Sequence, residues 1–136
     1  MSDPIDVLFV CVSNRGKSVM AERLSSTVTD RIAASSAGTN AKIGGQVNEL
    51  SAQVLAEVGA DAGGHRPRQL TDEMMRAADL VVVVGTAEVT TPDGVRVEVW
   101  NTDEPSDRGI DDLERMRLIR DDITTRIRDL TDRLER

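Results

Sequence analysis

Val7-Leu8-Phe9-Val10-Cys11-Val12-Ser13-Asn14-Arg15-Gly16-Lys17-Ser18 is an apolar run that ends in a cysteine and turns directly into a helix. Unbroken hydrophobicity reads as a buried strand, and the residues from Ser18 to Val28 place Val19, Met20, Leu24 and Val28 on one side of a helix. The tight connection between them aims several backbone N–H groups into one concavity, where the helix dipole adds partial positive charge. Residues 12–18 are therefore the candidate oxyanion cradle: Val12, Ser13, Asn14, Arg15, Gly16, Lys17 and Ser18. A cysteine beside such a nest, with Arg15 and Lys17 nearby, is stabilised as a thiolate, which makes Cys11 a candidate nucleophile. The alternative is a cysteine that merely closes a core strand.

Working outward, Ile32 to Thr39 is a second short strand of small residues closing on Gly38, and small side chains let another backbone approach. Gly44-Gly45 marks a loop before a helix over Gln46 to Val58, with Val47, Leu50, Val54, Leu55 and Val58 on one face and Gly59 as its stop. The glycines and proline of Gly63 to Thr71 make a loop that holds His65, the chain's one histidine. Thr71 reads as the N-cap of a short helix through Ala78. Leu80-Val81-Val82-Val83-Val84 is apolar on both faces, the mark of a central parallel strand, whereas Val95 to Trp100 alternates like an edge strand. A last helix runs from about Asp111 to Leu134, with Leu113, Met116, Ile119, Ile123, Ile127, Leu130 and Leu134 at helical spacing and its charged residues on solvated faces. Strands alternating with helices give one α/β domain over residues 1–136, a parallel sheet between helical layers.

Composition narrows the function. A net charge of −7 argues against nucleic-acid binding. No stretch is long and apolar enough to span a bilayer, and Met1-Ser2-Asp3-Pro4 lacks a signal-peptide layout, so a cytoplasmic protein is expected. One cysteine and one histidine leave no internal disulfide and little for a metal centre, so no metal is expected.

The cysteine, the asparagine three residues on and the serine seven residues on resemble the phosphate-binding loop of the low-molecular-weight protein tyrosine phosphatases and of the arsenate reductases built on the same fold. That family has arginine where this chain has Lys17. A guanidinium grips two oxyanion oxygens in a fixed fork and an ammonium does not, so the lysine disfavours efficient phosphatase chemistry. Lys17, Ser18 and Met20-Ala21, with the stretch from Asp103 to Gly109, look most like the single-cysteine reductases of actinobacteria that use the small thiol mycothiol.

The resemblance implies a four-stranded sheet of order 2-1-3-4, with the ligand beside Cys11 where the strand order reverses. It implies that Ser36 hydrogen-bonds towards Asn14, and that Asn14, Ser18, Ser36 and His65 support the loop. It also implies a general acid immediately before a proline, the position of Glu104, with Asp103 one residue away. A general acid contributes about two to four powers of ten in rate. The chain's only aromatic residues, Phe9 and Trp100, leave at most one to wall a phosphotyrosine slot.

Reducing arsenate takes two electrons, normally from two thiols, and this chain owns one. The resemblance therefore implies attack of Cys11 on arsenate, transfer of the arsenic to mycothiol as co-substrate, and later reduction of the adduct by a mycoredoxin. No bound cofactor is expected. A phosphatase acting on a phosphate ester is the alternative, and monomer and homodimer both stay open.

Overall fold

The computed structural model describes residues 3–134; the expectations for Met1 and Ser2 lie outside the described residues. The chain runs β1 (Ile5–Cys11), α1 (Lys17–Val28), β2 (Ile32–Gly38), α2 (Glu49–Ala56), α3 (Asp72–Ala77), β3 (Leu80–Val84), β4 (Val97–Trp100) and α4 (Asp112–Leu134), with a 3-10 turn over Pro105–Arg108. All strand pairs are parallel and the order is β2-β1-β3-β4.

Alternation along β1 divides the core. Val7 and Phe9, with Leu80, Val82 and Val84 of β3, pack under α1, α2 and α4, while Leu8, Val10 and Val81 pack with Met75 of α3. Three helices thus cover one face and a single short helix the other. Phe9 is fully buried and Trp100 nearly so, with ring centroids 5.6 Å apart at a tilt of 54°, an arrangement that aromatic quadrupoles favour.

α2 is shorter than the periodicity predicts. Asn48 caps it by accepting the Ser51 amide, which starts the helix at Glu49, and it ends at Ala56 ahead of Gly59 at φ 77°. Val58 consequently falls beyond the helix and is 44% exposed rather than on its inner face. Thr71 caps α3 through the Met74 amide, as the Thr-Asp-Glu start suggests. β4 keeps only the last four residues of its predicted run, with Val99 turned outward. Because every strand is parallel, the segments after β1, β3 and β4 all emerge on one rim.

Candidate active site

The loop after β1 is shaped by where its carbonyls go. Those of Cys11, Val12, Ser13 and Arg15 accept the amides of Thr39, Asn40, Lys42 and Asn48 at 2.7 to 3.1 Å, and that of Gly16 accepts Met20 N at 2.9 Å. The Asn14 carbonyl meets His65 Nε2 at 2.7 Å; a carbonyl only accepts, so the ring hydrogen sits on Nε2. With the carbonyls turned out, the amides of residues 13–16 have no acceptor among the described residues. Those amides, with the orphan donors of the first turn of α1, leave a cluster of unspent N–H groups, the arrangement of a candidate anion nest. α1 has no acidic residue in its first turn and begins with Lys17, a cation where the helix dipole favours negative charge, which suits a helix end that serves an anion.

Asn14 organises the interior of the loop. It is fully buried at φ 57°, a left-handed conformation that asparagine tolerates better than most residues. Its Oδ1 accepts the Arg68 amide at 2.9 Å, which fixes the side-chain orientation so that Nδ2 donates to Ser18 Oγ at 2.8 Å. Ser18 Oγ also lies 3.0 Å from Cys11 Sγ, where its own hydrogen is free to donate to the sulfur. Cys11 itself is buried and is the chain's one thiol.

Ser36 does not join this network as the resemblance implies. Its hydroxyl donates to Glu22 at 2.6 Å, and only its carbonyl serves the site, accepting the Arg68 guanidinium at 3.0 and 3.2 Å. The close approach expected of the small-residue strand is made by Gly38, where a Cβ would lie 2.5 Å from the Val12 carbonyl and 3.0 Å from the Asn14 amide. Arg68 and Gln69 tie the loops together, Arg68 through its backbone to Asn14 and Gly38, Gln69 through Thr39 and Ala41. Sequence reasoning missed these roles; the arginine-glutamine pair three residues after His65 was their only signal.

Lys17 lies across Gly85, where a Cβ would meet Nζ at 3.4 Å, and its ammonium donates to Thr102 Oγ1 at 2.9 Å and stands 4.0 Å from Glu104 Oε1. Cys11, Val12 and Lys17, with Gly85, Thr86 and Ala87 after β3, wall a cleft of about 200 Å³. No aromatic side chain lines it.

Both candidate acids are held by arginines. Arg115 donates to Glu104 from two nitrogens at 2.8 and 2.9 Å, Ser106 adds a third hydrogen bond at 2.8 Å, and together they bring the Glu104 carboxyl down to about 2. Arg108 grips Asp103 at 2.8 and 3.0 Å and lowers its carboxyl in the same sense. Either acid therefore has to leave its arginine before it can carry a proton to the site. The α4 arginines are not simply a solvated face, since Arg115 reaches the acid loop and Arg120 is buried on the Val54 carbonyl and Glu57.

A family model described as low molecular weight phosphotyrosine protein phosphatase matches residues 6–92. A putative arsenate reductase of Halobacterium salinarum is 30% identical over 91% of this chain and 89% of its own length. Among solved structures, the tyrosine phosphatase AmsI of Erwinia amylovora superposes with a TM-score of 0.84 at 21% identity, over 100% of this chain and 95% of that one. The thioredoxin-dependent arsenate reductase Cg_ArsC1' of Corynebacterium glutamicum does so at 0.75 and 28% identity, over 99% of this chain and 64% of that one.

Proposed function

This chain belongs to the low molecular weight phosphotyrosine protein phosphatase family, and on that premise we propose that it is an arsenate reductase of the thiol-transfer kind. The observation that carries the reading is that its single thiol, Cys11, lines the cleft beside the loop of residues 12–18 with no second cysteine to close a disulfide. Whatever arsenic Cys11 takes up has to be removed by a thiol from outside.

The nest holds arsenate by the amides of the loop and the ammonium of Lys17, and Ser18 Oγ steadies the Cys11 sulfur. Cys11 attacks arsenic, a sulfur–arsenic bond forms, and one arsenate oxygen leaves as water after taking protons, one of them delivered by Asp103 or Glu104 of the acid loop. Mycothiol then attacks the same arsenic. Its sulfur–arsenic bond forms as that to Cys11 breaks, and its thiol proton passes to Cys11. Arsenic stays pentavalent through both steps. The two electrons enter later, when a mycoredoxin thiolate takes the mycothiol sulfur as a mixed disulfide and arsenic departs as arsenite.

Two features favour this reading over ester hydrolysis. The cleft walls at Val12, Thr86 and Ala87 are small, and both aromatic residues are spent in the core, so a phosphotyrosine ring has nothing to stack on. Lys17 also lacks the bidentate fork that a phosphoryl transition state uses. The phosphatase alternative draws its support from the family description itself.

The test is turnover of the purified protein with arsenate, mycothiol, mycoredoxin and its reductant, beside a thioredoxin arm and an aryl phosphate assay. Reductant consumption that needs both arsenate and mycothiol supports the proposal. Flux with thioredoxin alone, or aryl phosphate hydrolysis without arsenate flux, overturns it.

A further inference from the structure

On the other flank of the anion loop lies a second cleft, of about 220 Å³, walled by Arg15 and Asn48 on one side and by Arg115 and Met116 of α4 on the other. Ser13, Gly16 and Lys17 line both this cleft and the one at Cys11, so the two are separated only by the crest of the loop. Gly16, which has no side chain, is one of the residues of that crest. A Cβ there would point at Ser51 Oγ, 3.8 Å away, in the wall of the second cleft.

The walls are unevenly committed. Arg115 is neutralised by Glu104, whereas Arg15 makes no ion pair among the described residues and uses only Nε, which donates to the Gln46 carbonyl at 2.5 Å. Its two terminal nitrogens thus leave up to four N–H donors unspent at the edge of the cleft. Met116 and Ile119 give the same cleft its apolar lining, Met116 being largely buried with its Sδ accepting from Arg115 Nη1 at 3.5 Å. Donors facing an apolar surface suit a ring that carries hydroxyls on its edge and C–H groups on its face.

We infer that this cleft seats the hydroxyl-rich, non-sulfur end of the thiol co-substrate, so that its sulfur crosses the crest at Gly16 to reach arsenic on Cys11. The inference rests on the thiol-transfer reading above. Mycothiol, a cysteine derivative with two polyhydroxylated rings, has the required shape of chemistry; a thiol without such rings would reach Cys11 but gain nothing from the cleft.

The experiment is a titration of ¹⁵N-labelled Cys11→Ser protein with S-methyl mycothiol, which cannot react. Saturable amide shifts at residues 46–51 and 115–119 are expected. Shifts confined to residues 84–87 or 101–109, or no saturable shift, overturn the assignment. Turnover supplies the second arm: Met116→Trp, which fills the apolar wall, is expected to lower the ratio of kcat/KM for mycothiol over N-acetylcysteine by about tenfold, the size of one modest packing contact. An unchanged ratio in a folded variant overturns the assignment as well. Wild-type turnover separates the two ideas. If arsenate flux needs mycothiol but the shifts fall elsewhere, only the cleft is wrong; if wild-type protein shows no mycothiol-dependent flux, the thiol-transfer reading has failed.

Discussion

Arg115 holds Glu104 by two parallel hydrogen bonds, at 2.8 and 2.9 Å, and so latches the acid loop to the first turns of α4. The latch has a pH signature. With the Glu104 carboxyl brought from 4.5 to about 2, first by Arg115 and then by Ser106, the folded protein favours the ionised form. A depressed carboxyl contributes stability that is fully present above its ordinary value and is lost as pH falls through the folded one, here between about 4.5 and about 2. Carboxyl NMR should find Glu104 titrating near the bottom of that window, and Arg115→Ala should move its midpoint up towards 4.5. An unmoved midpoint would mean that the arginine does not hold it.

Because Asp103 and Glu104 are both ionised partners of arginines, proton delivery requires one to come free. The double variant Asp103→Asn, Glu104→Gln is expected to lose about 100-fold or more in kcat, the usual share of a general acid. Alkylation of Cys11 by iodoacetamide should continue, since neither carboxylate touches the sulfur. The single variant with the larger loss identifies the donor, and a double variant at full rate would remove the acid loop from the mechanism.

Lys17→Arg probes the choice of reaction. The side chain runs over Gly85, where there is no Cβ in its way, and ends among Thr102 and Glu104. A guanidinium there gains the fork that stabilises equatorial oxygens in phosphoryl transfer. Aryl phosphatase kcat/KM is expected to rise at least several-fold. A flat response would show that the lysine is not what limits hydrolysis.

The parts of this site that could be read from the sequence are those fixed by local pattern. The continuous apolar run of β1 and the helix face of α1 are sufficient to place the strand, loop and helix that carry Cys11, and burial on both faces of Leu80–Val84 is sufficient to mark β3 as a central strand, whereas its place beside β1 follows only from the family resemblance. Partnerships across the chain are not local. Lys17 finds Thr102 eighty-five residues away, and Ser36 turns to Glu22 on α1 because strand pairing sets its hydroxyl there. The resemblance implies proton donors at Asp103 and Glu104, but which arginines face them depends on how the 3-10 turn at Pro105–Arg108 folds back on α4. A charged helix face looks solvated until the loop it meets is known.

Gly38→Ala tests the contact that lets β2 close on the loop. A methyl 2.5 Å from the Val12 carbonyl cannot be accommodated without moving backbone, and both strands there are fixed by the parallel ladder. Overpacking of this kind costs about 1–3 kcal/mol. The urea midpoint should fall accordingly, and the affinity for phosphate, used as an anion probe, should fall with it because Val12 and Asn14 belong to the nest. Loss of stability with unchanged phosphate affinity would mean that the strain is relieved away from the loop.

Asn14 carries two separable loads, a left-handed backbone and two buried hydrogen bonds, and a pair of variants can divide them. Asn14→Gly keeps φ 57° comfortable but leaves the Arg68 amide without its acceptor and Ser18 Oγ without its donor. Buried groups orphaned in this way cost about 1–3 kcal/mol. Asn14→Ala adds the backbone term, about 1–2 kcal/mol for an L-residue in that region. Alanine should therefore be the less stable of the two by denaturant unfolding, while both should weaken phosphate binding to a similar degree, because Ser18 Oγ then loses the partner that positions it 3.0 Å from Cys11 Sγ. If Asn14→Gly bound phosphate as well as wild type, the nest would depend on the backbone conformation of Asn14 alone, and its side chain would be a stabilising strut with no part in aligning the sulfur.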